Sequence, residues 1–181
     1  MKIEQEKLIV ELARLTNVAL NDIRSFKRLS AKQLNYKTSP ESWSILECIE
    51  HLNLYGKFYL PEIEKQLLKA NKKTGNLQFK SGILGEYFVG VIKVDGKKKM
   101  KATRAMDPTN SNLNSTSLDQ FIKQLETLKN LLNESREVNL KNVKTAISLS
   151  KLIKLRLGDT LRFLVFHNER HIIQAKRIPI N

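Results

Sequence analysis

Three histidines carry the chemistry open to this chain. His167 and His171 stand four residues apart in FLVFHNERHIIQAKRI, and His51 lies far upstream in SWSILECIEHLNLY. Residues at i and i+4 share one helical face, one turn apart. Two imidazoles so placed can hold one metal ion, and a third from a facing helix completes a three-nitrogen site. Three protein ligands leave positions open for water or substrate, as in reactive rather than structural metal sites. Neutral imidazoles add no charge, so a bound Zn²⁺ or Ni²⁺ keeps its full charge. It then lowers the pKa of a water or thiol, giving hydroxide or thiolate near neutral pH. Nitrogen donors suit Zn, Ni, Fe or Co and not Ca or Mg. The opposing reading is that the pair alone is a weak motif and the histidines are ordinary hydrogen-bonded side chains. The chain is not read as a zinc protease of the HExxH kind, because Asn168, not Glu, follows His167.

Helices must bring these residues together. Leu8, Leu12, Leu15, Ala19, Ile23 and Phe26 recur at three- and four-residue steps and predict a first helix over about residues 2–29. Ser44 and Glu47 fit a capping box that opens a second helix reaching about residue 70, with Pro61 expected to kink or divide it. Glu47, His51, Leu54 and Phe58 share a stripe on that helix. Residues 71–115 lose the pattern, and GILGEYFVGVIKV within them reads as helix or strand. Ser117 to Gln120 repeats the capping pattern before a third helix carrying Leu118, Phe121, Leu125, Leu128 and Leu132 to about residue 135. Residues 138–154 are rich in β-branched types and undecided. Asp159 or Thr160 is expected to cap a last helix, which Pro179 stops and on which Leu164, His167, His171 and Gln174 form one stripe. The expectation is an all-α fold: a four-helix bundle with a long crossover connection between helices 2 and 3, forming a single domain over residues 1–181.

The composition, 41% hydrophobic and 28% charged, is that of a globular chain able to bury a full core. The net charge of +14 favours anionic partners, nucleic acid first among them. The helices nevertheless mix Glu with Lys as solvated faces do, and no recognition helix, zinc finger or stacking pattern accompanies the charge. The densest basic run is Lys97, Lys98, Lys99 and Lys101 with Arg104. The charge is therefore read mainly as solvation, with a basic nucleic-acid- or anion-binding module as the alternative. Cys48 is the lone cysteine, so no internal disulfide forms, which fits a reducing compartment. The first residues alternate in charge, and no run approaches 18 apolar residues, so neither a signal peptide nor a membrane span is expected and the expected location is cytoplasmic.

Four segments in order resemble the DinB superfamily: Trp43-Ser44-Ile45 with Glu50-His51-Leu52; Lys98 to Ala102 ahead of Asp107-Pro108; Gly158-Asp159-Thr160-Leu161; and His167 with His171, Ile172 and Gln174. The resemblance spans nearly the whole chain. It implies a four-helix bundle and a divalent metal, Zn or Ni, held by His51, His167 and His171. It also implies a homodimer, a small-molecule substrate and, in some relatives, transfer or isomerisation dependent on a low-molecular-weight thiol. The function expected is that of a metal-dependent hydrolase or thiol S-transferase, with a non-catalytic metal-binding scaffold as a further alternative. No general base stands out. Glu47, Glu50, Tyr55 and Tyr87 are candidates by position, and each also has an ordinary structural role available. The basic crossover is a candidate holder of an anionic thiol cofactor or substrate.

Overall fold

The computed structural model describes residues 1–73, 75, 77–93, 103–109 and 111–180, with Lys151 described in its backbone alone. Among the described residues, ten α-helices and β-strands follow one another: β1 (Lys2–Glu4), α1 (Gln5–Phe26), α2 (Ala31–Leu34), α3 (Ile45–Leu68), β2 (Gln78–Lys80), α4 (Ile83–Ile92), α5 (Thr116–Glu134), β3 (Lys144–Ile147), β4 (Ser150–Arg156) and α6 (Leu157–Lys176). One 3₁₀ turn, Arg104–Met106, sits in the crossover between α4 and α5, and another, Ser135–Glu137, follows α5.

Four long helices dominate, each because its apolar residues fall on one stripe. α1 buries Leu8, Leu12, Ala19, Leu20 and Ile23, and α5 buries Leu118, Phe121, Leu125, Leu128 and Leu132. α1 and α3 each pack on both α5 and α6. The seam between α3 and α6 carries the histidines. α4 packs on α6 beside it.

The fold is mostly helical rather than all-α, because two small antiparallel sheets accompany the helices. Residues 2–4, expected as helix, instead form β1 and pair with β2, Ile3 opposite Phe79. Helical periodicity cannot exclude a short strand at its edge, since Ile3 is apolar on either reading. β3 and β4 form a hairpin in the β-branched stretch. α3 runs unbroken through Pro61. Pro61 and Lys57 are both exposed, so the Lys57 carbonyl that loses its helical donor can turn to water.

Capping follows the sequence at one place and departs from it at two. Ser44 Oγ accepts from the Glu47 backbone N–H at 3.2 Å, and Glu47 accepts from the Ser44 N–H at 2.8 Å. Ser117 makes no such box. It lies inside α5 and donates its hydroxyl to Glu50 at 3.0 Å, while Asn114 accepts from the Thr116 N–H. Asp159 and Thr160 do not cap α6 either, because that helix already begins at Leu157. Asp159 accepts from the hydroxyl of Ser81 and from the Gly82 N–H, and Thr160 meets Thr145 of the hairpin at 2.6 Å. Gly158 lies under the Phe79 ring, where a Cβ would collide. The Gly158-Asp159-Thr160 motif thus joins α6 to both sheets.

Candidate metal centre

The capping box fixes where α3 begins, which sets His51 on the α6 side of the seam. His51 and His167 are buried and His171 is partly buried, and one nitrogen from each lies within 4.8 Å of the others. Trp43, just before α3, places its ring 4.8 Å from His51 and 5.8 Å from His171. Tyr55, one turn along α3, lies 4.9 Å from His51 and 4.3 Å from His167. The three histidines open into a cavity of about 850 Å³, within the range of small-molecule sites.

Hydrogen bonds determine which nitrogens are available. His51 Nδ1 lies 2.6 Å from the carbonyl of Met106. A carbonyl can only accept, so Nδ1 carries the proton and Nε2 presents its lone pair. His171 Nδ1 likewise donates to Gln174 Oε1 at 2.9 Å, leaving its Nε2 free. His167 Nε2 approaches His51 Nε2 at 3.2 Å, while its Nδ1 is buried with no partner among the described residues. A proton on His167 Nε2 would make an ordinary N–H···N hydrogen bond to His51 at that separation. Nitrogens bound at about 2.0–2.1 Å to one tetrahedral ion stand about 3.3 Å apart, so the approach of this pair suits a shared proton or a shared ion alike.

Electrostatics favour the uncharged, ligating form of all three rings. Burial pushes the pKa of His51 down, against the Met106 carbonyl and the Asp107 charge that would raise it. Burial and the neighbouring histidines hold His167 well below its ordinary value. Burial, reinforced by His51, pushes His171 down to about 3. The donor set therefore fits a borderline divalent ion and is compatible with a metal site.

The other candidates separate clearly. Glu47 is occupied by the cap and by Lys37 Nζ at 3.0 Å. Glu50 accepts from Asn53 and Ser117, toward α5. Tyr87 is exposed and packs edge-on against Phe88. Only Tyr55 of the four lines the cavity. Lys97, Lys98, Lys99 and Lys101, on which the expected cofactor-holding role falls, lie outside the described residues. Two contributors escaped the sequence. The Met106 carbonyl is a backbone atom and leaves no side-chain signal. Trp43 stands in the motif before α3, but its contact with His171 depends on tertiary packing.

Neither a curated protein nor a solved structure matches the chain. The family model described as DinB superfamily matches residues 18–175, a stretch that contains His51, His167 and His171. No helix among the described residues is long and apolar enough to cross a membrane. The match covers most of the 181 residues, and the chain belongs to the DinB superfamily.

Proposed function

We propose that this chain is a metal-dependent enzyme in which His51, His167 and His171 hold one Zn²⁺ or Ni²⁺ ion, with its open positions facing the cavity. The observation that carries this reading is the convergence of three uncharged imidazoles within 4.8 Å at the wall of a cavity of about 850 Å³. When bound, the ion would supply Lewis acidity, lowering the pKa of a water or thiol for hydrolysis or thiol-dependent group transfer. The protein's part is orientation and shelter. The Met106 carbonyl and Gln174 aim two of the rings, as hydrogen-bonded partners commonly do for metal-binding histidines. Trp43 and Tyr55 flank the cluster with their rings. Arg170, in the cavity wall beside His171, donates to the carbonyls of Val91 and Lys93, which fixes a positive charge close to the site.

On the same reading, the four long helices form the family's bundle, residues 1–181 make one domain, and the protein works in the cytoplasm as a homodimer on a small-molecule substrate. The experiment is metal analysis of untagged protein. About one Zn²⁺ or Ni²⁺ per chain, bound as isolated or after reconstitution, is expected. A chain that takes up neither sinks the proposal. The thiol-transferase version also predicts that a low-molecular-weight thiol shifts the d–d bands of the Co²⁺ form, and an unchanged spectrum counts against it.

A further inference from the structure

Past the three imidazoles, the same two helices carry rings. His51, Tyr55 and Tyr59 follow one another at four-residue steps on α3, and His171, His167 and Phe163 do so in the opposite direction on α6. The rows stay in register: His51 lies 4.6 Å from His171, Tyr55 4.3 Å from His167, and Tyr59 5.5 Å from Phe163. Phe88 of α4 closes on Phe163 at 6.5 Å. From His51 to Tyr59 is eight residues of helix, about 12 Å at 1.5 Å per residue.

The hairpin closes the far end. Ser148 donates its backbone N–H to the Tyr59 hydroxyl at 3.2 Å, so that oxygen is engaged by the wall. Ile147 and Leu149 line the cavity there. Among the described residues, the charged ones in the lining belong to the other end. Glu41 precedes Trp43, Asp107 follows Met106, Arg170 adjoins His171, and Arg177 lies beyond it. Tyr55 lines the cavity between the two ends. Tyr59 and Phe163 are buried in the core, and their rings still form part of the wall of a cavity large enough for a small molecule.

We infer that the cavity takes an amphipathic small molecule, with an oxygen or sulfur head group at the histidines and an unbranched alkyl or flat aryl body lying about 12 Å along α3 and α6. The head-group half of this inference rests on the metal reading, and the body half rests on the rings alone.

The test is calorimetric titration of the full chain with straight-chain alkyl hydroxamates of two to eight carbons, in Zn²⁺-loaded and metal-free forms, with metal content measured in each. For the loaded form, affinity should rise about three- to fourfold per added methylene. Leu149→Asp, at a half-exposed position that tolerates charge, should flatten that dependence while leaving metal content and acetohydroxamate affinity unchanged. Loaded protein whose affinity is independent of chain length overturns the inference, as does a Leu149→Asp variant with the full dependence. Should the chain take up no Zn²⁺, the metal reading fails. The metal-free titration then decides the body half: length-dependent binding upholds it, and no binding overturns it.

Discussion

At the scale of single residues, the site depends on groups that bear no charge and ligate nothing themselves. Gln174 is exposed, yet its amide oxygen sets which nitrogen of His171 is free. Gln174→Ala should leave the fold intact and weaken Zn²⁺ binding by about tenfold to a hundredfold. Competition with a chromophoric chelator reads this directly, and unchanged affinity would show that His171 needs no such partner. Cys48 illustrates the reverse case, a reactive residue type without a reactive setting. It is fully buried, and burial with Glu47 beside it pushes the thiol up to about 12. Native protein should therefore react with a disulfide reagent such as Ellman's far more slowly than denatured protein does. Rapid labelling of the folded chain would contradict its placement. The His167 and His171 pair was legible in its helical spacing, and the family resemblance joined His51 to it. The carbonyl of Met106 was not, since any residue at that position would present the same oxygen.

At the scale of elements, the long helices were legible and the sheets were not. A buried stripe such as Leu8, Leu12, Ala19 and Ile23 repeats over many turns, whereas β1 and β2 are three residues each and are defined by pairing across more than 70 positions. The motif around Asp159 was visible but misassigned to capping, because its partners, Ser81 and Gly82, lie far off in sequence. Those contacts make two predictions. Gly158→Ala drives a methyl group into the Phe79 ring and should cost about 1–3 kcal/mol in urea unfolding. A neutral result would mean that the β1–β2 sheet shifts freely. The second concerns Arg162, which is buried, ties α6 to α4 through Glu86 at 2.8 Å and pairs with Asp159 of its own helix at 3.3 Å. Partial burial opposes ionisation of Glu86, but hydrogen bonds from Arg162 and Ser81 and the Arg162 charge outweigh it and hold the carboxyl down to about 2. A carboxyl lowered in the folded state stabilises the fold above its unfolded pKa, and that contribution is lost as pH falls toward the folded value. Glu86 is 42% exposed, so solvent screening limits the gain to about 1 kcal/mol. Glu86→Gln should be less stable than the parent at pH 7, with the gap closing between about pH 4.5 and pH 2. A gap independent of pH would assign the loss to packing instead of charge.

At the scale of the whole molecule, the three imidazoles join parts of the chain that are distant in sequence. His51 belongs to α3 and is tied to the crossover at Met106, and His167 and His171 belong to α6. An ion bound only by the folded chain stabilises all of these contacts at once, by an amount set by its concentration relative to Kd. At a free Zn²⁺ concentration about a hundred times Kd the gain is about 2.7 kcal/mol. For a chain of this size that corresponds to a rise in Tm of about 5–11 °C. The rise should grow with the logarithm of Zn²⁺ concentration and disappear in excess chelator. It should also be absent in His167→Ala, whose own Tm in chelator falls little if the buried ring pair is strained without a cation. Trp43, the only tryptophan, lies within 5.8 Å of two of the rings. Ni²⁺ or Co²⁺ should therefore quench its fluorescence over the same concentration range that raises Tm. Stabilisation by Zn²⁺ that survives in His167→Ala, or quenching at a different concentration from the thermal shift, would place the binding ion elsewhere on the protein.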